Sequence, residues 1–111
     1  SSQCKMLSYQ YYIGKDLVEL TENNDAFIFS YHGENIAIGK EKIFELWDDI
    51  RNKSIFTIDA KNIEFLLFSY LLFALGYLTK IKKKDKNSDK MLDGFQLNEG
   101  LGRVYAFNEV K

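Results

Sequence analysis

The spacing of apolar residues in the N-terminal part of the chain predicts antiparallel strands. Residues 9–20 have strand character, and a polar turn at residues 14–16 separates two short strands. The clearest hairpin covers residues 26–39, where apolar side chains recur at every second position on both sides of a turn. Gly33 or Asn35 is expected to take the positive φ that such a turn requires.

An apolar stripe then predicts an amphipathic helix at about residues 41–53. Its members fall at i, i+3, i+4 and i+7 and therefore share one side of a helix: Ile43, Leu46, Trp47 and Ile50. Acidic residues dominate the other side. Glu41 near the start and Lys53 at the end suit the helix dipole.

A second helix is predicted at about residues 60–75, and it is apolar on nearly all sides. Such a helix must be buried on most of its surface. Asp59 is the expected N-cap and Gly76 the expected left-handed stop. The stretch is shorter than the about 20 apolar residues that span a bilayer, and Glu64 interrupts it. The pattern therefore favours a buried central helix or an oligomer interface over membrane insertion.

The rest of the chain predicts short strands. One covers residues 54–58, between the helices, and others cover residues 77–83, 91–97 and 103–110. The sequence therefore predicts one α+β domain over residues 1–111, with an N-terminal antiparallel hairpin region, two helices and a C-terminal antiparallel sheet of about three strands. The expected core consists of large apolar residues: Phe27, Phe29, Trp47, Ile50, Phe65, Phe68, Leu72 and Leu75.

Composition limits the class of protein. The chain has 111 residues, of which 46% are hydrophobic and 28% charged, so one globular domain is expected. The net charge of −1 gives the whole molecule no field that demands nucleic acid or an anionic membrane. A single cysteine, Cys4, excludes an internal disulfide and a thiolate cluster, which predicts a reducing, cytoplasmic location.

Charge is nevertheless uneven along the chain. The one basic patch contains Lys80, Lys82, Lys83, Lys84, Lys86 and Lys90. These residues fit the solvated tip of a hairpin, which is the usual role of such a cluster. They are also the candidate contacts to phosphates or to an acidic partner.

The residues offer little catalytic chemistry. His32 is the only histidine, so a His-based metal site or a Ser–His triad is disfavoured, and no cofactor is expected. Asp59 and Lys61 follow a strand with the acid-x-Lys spacing of some metal-dependent nucleases, in which the acid binds Mg²⁺. A helix cap with an exposed lysine explains the same pair, so the sequence predicts a non-enzymatic protein and keeps a nuclease fragment as a less favoured alternative.

The order helix, short strand, helix, then two strands joined by a Lys-rich loop also outlines a winged helix. In that fold the lysines of the hairpin at residues 80–90 would contact phosphates. Residues 60–75, however, leave no polar recognition helix to read bases. Nucleic-acid binding is therefore the alternative to a protein-binding role.

Residues 41–84 resemble the small middle component of bacterial ABC-three-component systems. The resemblance rests on Leu46-Trp47-Asp48, on a strand that ends at Ile58-Asp59, and on an apolar helix that closes with Leu75-Gly76-Tyr77-Leu78 before a charged hairpin. It implies a non-enzymatic adaptor that docks on a larger ATPase or effector. The systems of this family are thought to act against phage. For such a role we expect a partner protein, or a second copy, to contact exposed tyrosines: Tyr9, Tyr11, Tyr12 and Tyr70.

Overall fold

The computed structural model describes residues 8–99, which form two compact units with a boundary after Glu45. Two helices and two antiparallel sheets confirm the predicted α+β class. The predicted strand at residues 103–110 and Cys4 lie outside the described residues.

The first unit contains a four-stranded antiparallel sheet in which each strand pairs with the next along the chain. The strands are β1 (Ser8–Ile13), β2 (Asp16–Glu22), β3 (Ala26–Tyr31) and β4 (Glu34–Gly39). Both predicted hairpins, at residues 9–20 and 26–39, are confirmed.

Two-residue turns set the register of these hairpins. Between β1 and β2, Gly14 has a φ of 62°, the conformation that glycine adopts at no steric cost. Between β3 and β4, His32 and Gly33 have φ values of 53° and 76°, and positive φ at both central residues defines a type I′ turn. The positive φ at Gly33 is confirmed. The other one falls on His32 rather than Asn35, because Asn35 pairs with Ser30 inside the ladder.

Strand alternation separates the two faces of this sheet. One face carries the buried residues: Tyr11, Val18, Leu20, Phe27, Phe29 and Ile38. Because successive side chains of a strand point to opposite faces, Tyr12 and its cross-strand neighbour Leu17 lie on the other face. The predicted core residues Phe27 and Phe29 are confirmed.

Helix α1 (Lys40–Lys53) follows β4 directly and crosses the boundary between the units. All four residues of the predicted apolar stripe are buried. On its exposed side, Arg51 contacts Asp48 at 2.5 Å and Lys53 contacts Asp49 at 3.2 Å. These i,i+3 and i,i+4 pairs are the ones that stabilise a helix surface.

The second unit contains a three-stranded antiparallel sheet with the order β5-β7-β6. Its strands are β5 (Ile55–Thr57), β6 (Leu78–Lys84) and β7 (Met91–Leu97). The middle strand β7 therefore forms ladders on both sides, although it is the last described strand of the chain. Among the described residues, the third strand of this sheet is β5, which precedes the second helix.

Helix α2 (Ile63–Ala74) begins later than the sequence predicts. The expected cap at Asp59 is wrong, because the Asn62 side chain accepts the Phe65 N–H at 3.2 Å. Asp59 instead accepts the Lys61 N–H at 3.0 Å and closes a turn before the helix. The stop at Gly76 is confirmed by its φ of 90°.

The burial of α2 is continuous. Eight consecutive residues from Phe65 to Leu72 are buried, which confirms the central, enclosed helix that its composition predicts. Aromatic rings join it to the sheet, with 5.0 Å between the ring centroids of Tyr70 and Phe95. Leu75, also predicted as core, is 48% exposed. It occupies the C-cap, beyond the last packed turn.

Gly94 of β7 lies close to the backbone of β5, where it pairs with Thr57. A Cβ at this position would be 2.5 Å from the carbonyl oxygen of Phe56, a separation at which the backbone must shift. We expect Gly94→Ala to lower the free energy of unfolding by about 1–3 kcal/mol, measured by urea denaturation. Gly39→Ala is the matched control, since its nearest neighbour, the Asp25 carbonyl oxygen, is 4.0 Å away. Equal effects of the two changes would contradict the steric explanation.

Candidate interaction surfaces

Residues 78–97 form a hairpin, which we call the basic hairpin, whose loop has a defined conformation. The Asp85 N–H donates to the Lys90 carbonyl oxygen at 2.9 Å and closes the loop. The Asp85 carboxylate also accepts the Ser88 hydroxyl at 3.0 Å and the Asn87 N–H at 3.3 Å. The loop between β6 and β7 is thus held by one aspartate, and it is the Lys-rich loop that the sequence predicts between these strands.

The lysines of β6 divide between the two faces of the sheet. The register places Lys80 opposite Phe95 and Lys82 opposite Asp93, so both lie on the face that carries Phe95. Lys83 lies on the other face, because it is one residue away from Lys82. The patch is therefore not one continuous positive surface.

Several of these lysines have partners within the hairpin or on α2. The Lys80 ammonium lies 5.5 Å from the centre of the Tyr70 ring, within the range of a cation–π contact. Lys82 contacts Asp93 at 2.5 Å, and Lys84 contacts Asp89 at 3.5 Å. The remaining three, Lys83, Lys86 and Lys90, form no ion pair with any residue in the range 8–99.

Asp93 is the acid that these contacts perturb. The hydrogen bond from the Lys82 ammonium, together with the nearby charges of Lys82 and Lys80, holds the pKa of Asp93 below its ordinary value. Asp93 is therefore ionised throughout the neutral range and neutralises part of the lysine charge. This weakens the attraction of the basic hairpin for a distant polyanion.

Exposed contacts are expected among four tyrosines, and two of the four are buried. Tyr11 and Tyr70 are only 4% and 8% exposed. Tyr11 lies on the buried face of the first sheet, where burial raises its pKa far above the usual value, and Tyr70 lies within the buried length of α2. Tyr9 is half-buried, with 6.1 Å between its ring centroid and that of Tyr11.

Of these four tyrosines, Tyr12 is the one whose side chain is exposed to a partner. It is 62% exposed, and Leu17, directly opposite on β2, is 40% exposed. We call these residues the Tyr12–Leu17 pair. Reasoning from the sequence missed Leu17, although the alternation along β2 is the signal that places it on the exposed face.

The second unit exposes other large apolar side chains. They are Ile55, Phe73, Leu75 and Met91. The register shows that they do not form one surface: Ile55 pairs with Gln96, whereas Met91 pairs with Lys84 at the far end of β7. Phe73 packs against Phe95 with 5.5 Å between ring centroids. Single exposed apolar residues of this kind are ordinary at protein surfaces.

The residues considered for catalysis, His32, Asp59 and Lys61, lie in turns and contact residues near those turns. His32 is exposed at the hairpin turn, as its position predicts, and its Nε2 lies 3.1 Å from the Asp16 carboxylate. Asp59 and Lys61 share the turn before α2. In the range 8–99, no group of three or more His, Cys, Asp or Glu side chains is placed to hold a metal ion.

Neither helix in the described part of the chain has the length and hydropathy that a bilayer-spanning segment needs. No protein-family model matches this chain, and no curated protein or solved structure matches it. The resemblance to the middle component of ABC-three-component systems therefore stays a prediction.

Removing the Lys82 ammonium tests the charge pairing of the basic hairpin. In Lys82→Gln, the pKa of Asp93 should rise toward its ordinary value, because the ammonium that favours the carboxylate form is gone. A carboxylate with a depressed pKa contributes stability at neutral pH that is lost as the pH falls through its folded-state pKa. NMR titration of the Asp93 carboxyl carbon measures the change. Lys83→Gln is the control on the opposite face, and an equal shift in both variants would contradict the pairing.

Proposed function

We propose that this protein is a non-enzymatic protein-binding module. The observation that carries the proposal is the unbroken burial of α2 from Phe65 to Leu72. In a DNA-binding domain with the same order of elements, the helix at the position of α2 would contact the DNA. In this protein that helix is enclosed in the fold. Function is therefore assigned to the sheet surfaces, which remain accessible.

Helix α1 does not replace α2 as a reading helix. Its exposed side carries four carboxylates: Glu41, Glu45, Asp48 and Asp49. Lys42, Arg51 and Lys53 pair with carboxylates of the helix, and Lys40 pairs with Glu22 of β2. A helix in the major groove needs side chains such as Arg, Asn or Gln directed at the bases, and carboxylates would meet the phosphates with like charge.

The Tyr12–Leu17 pair supports a protein partner. A large exposed tyrosine beside an exposed leucine gives apolar area with a polar hydroxyl, and tyrosine is enriched in protein interfaces. The resemblance of residues 41–84 suggests what the partner is: a larger ATPase or effector of a bacterial anti-phage or conflict system. We place this adaptor in the cytoplasm, where a single cysteine stays reduced.

The adaptor proposal is tested by co-expressing the full chain with the products of its neighbouring genes and measuring affinity by calorimetry. We expect one of these products to bind with a Kd that the double variant Tyr12→Ser, Leu17→Ser raises at least about tenfold, which corresponds to roughly 1.4 kcal/mol. This loss follows from removing the apolar contact area.

Ala37→Ser is the control for this test, since Ala37 is exposed on the same face of the sheet but lies on β4. Its affinity should match that of the unmodified chain. If none of the neighbouring gene products forms a complex, or if the double variant binds as tightly as the control, the proposal is wrong.

Phosphate binding by the basic hairpin is the second candidate. Two observations favour it: Lys83, Lys86 and Lys90 form no ion pair in the range 8–99, and Lys86 and Lys90 lie in the loop that joins β6 to β7. Contacts of this kind bind nucleic acid without reading its sequence.

Fluorescence anisotropy with a labelled DNA duplex at low salt tests the second candidate. The triple variant Lys83→Gln, Lys86→Gln, Lys90→Gln should lose binding, and the salt dependence of the unmodified chain should reflect about three released counterions. Lys82→Gln, which removes a lysine already paired with Asp93, should have a smaller effect. Absence of binding at low salt would eliminate this candidate.

A further inference from the structure

Strand β1 is an edge of the first sheet, and the geometry of its hairpin determines which backbone groups face outward. In a hairpin with a two-residue turn, the residues that flank the turn form a hydrogen-bonded pair. Here that pair is Ile13 with Asp16, so Tyr9 and Tyr11 also bond to β2. The alternate residues Ser8, Gln10 and Tyr12 therefore direct their N–H and C=O groups away from the sheet. Within residues 8–99, no strand pairs with this side of β1.

The two sheets treat their edges differently. Strand β6, an edge of the second sheet, carries four lysines in seven residues, a feature that blocks pairing between sheets because the like charges repel. Strand β1, with the sequence SYQYYI, has no charged residue and no proline. Strand β4 carries Glu34 and β5 has only three residues, so β1 is the longest uncharged edge strand within residues 8–99.

The outward-facing groups of β1 are complementary to themselves. When two copies are placed antiparallel with Gln10 opposite Gln10, Ser8 of each copy lies opposite Tyr12 of the other. Each of these three residue pairs can exchange two hydrogen bonds. The arrangement has two-fold symmetry, which most soluble homodimers share.

The side chains fit the same register. Tyr9 of one copy lies opposite Tyr11 of the other, on the face where Tyr9 and Tyr11 already stack. Tyr9 is half-buried in the single chain, so pairing would cover more of its ring. Cross-strand aromatic pairs of this kind stabilise antiparallel sheets.

We propose that the β1 edges of two copies of this chain pair antiparallel about Gln10 and join their four-stranded sheets into one continuous sheet. This self-association does not depend on the proposed adaptor role, since it requires no foreign partner, although Tyr12 belongs to both surfaces. The uncharged edge and the matching of its outward groups identify a second copy, rather than a charged peptide, as the occupant.

The first measurement is the mass of the full chain by sedimentation velocity from nanomolar to high micromolar concentration. We expect a monomer–dimer equilibrium. Gln10→Pro removes one outward N–H from the centre of the interface and leaves the bonds of Tyr9 and Tyr11 to β2 in place. It should weaken dimerisation at least about a hundredfold.

A second variant keeps the test decisive if the proline change disturbs folding. Gln10→Glu retains the backbone N–H, but the two added carboxylates would face each other across the symmetry axis, each beside Glu19 of its own β2, and repel. It should also give a monomer with an unchanged circular dichroism spectrum. Thr21→Glu is the matched control, because it adds the same charge to β2 and leaves the edge intact.

Amide hydrogen exchange identifies the edge directly. The Gln10 and Tyr12 amides should become protected as the concentration rises through the dimerisation range. A chain that stays monomeric, a Gln10→Glu variant that dimerises as tightly as Thr21→Glu, or Gln10 and Tyr12 amides already protected in the dilute monomer would each overturn the proposal.

Discussion

The packing of α2 on the three-stranded sheet is the interaction on which the second unit depends. Phe95, at the middle of the central strand, is fully buried, and rings from Phe56, Tyr70 and Phe73 surround it with centroid separations of 5.0–6.0 Å. Aromatic side chains remove more apolar area from water than any others. A short sheet and a helix of 12 residues can therefore form a core of their own.

The burial of α2 restricts where function can lie. Its residues from Phe65 to Leu72 are buried and cannot contact a ligand. Apart from the acidic side of α1, two kinds of surface remain within residues 8–99: the basic hairpin, where Asp93 and Asp89 pair with lysines, and the first sheet, with its uncharged edge and the Tyr12–Leu17 pair. The first is suited to contacts that depend on charge. The second is suited to contacts with backbone and apolar groups, as in protein association.

The two edges show how differently the same element type can be used. Lysines along β6 discourage another strand from pairing with it. Aspartates of the hairpin neutralise part of this positive charge. The edge is therefore protected from pairing without giving the hairpin a strongly positive surface. Strand β1 carries neither lysines nor the acidic residues that would pair with them. An unprotected edge that is retained in a folded protein indicates a pairing surface, and its neutral character selects a neutral strand.

Local patterns in the sequence determined the α+β class, both N-terminal hairpins, the apolar stripe of α1, the turn at Gly33 and the end of α2 before Gly76. Each of these depends on periodicity or on backbone freedom over a few residues, and both properties are written directly in the sequence. Only the tertiary structure decided that Asn62 rather than Asp59 caps α2, that Leu75 is exposed while Tyr11 and Tyr70 are buried, and that β5 pairs with β7. These outcomes depend on which segments meet across long separations, and a helix that is apolar on every side gives no local signal of where its packing ends.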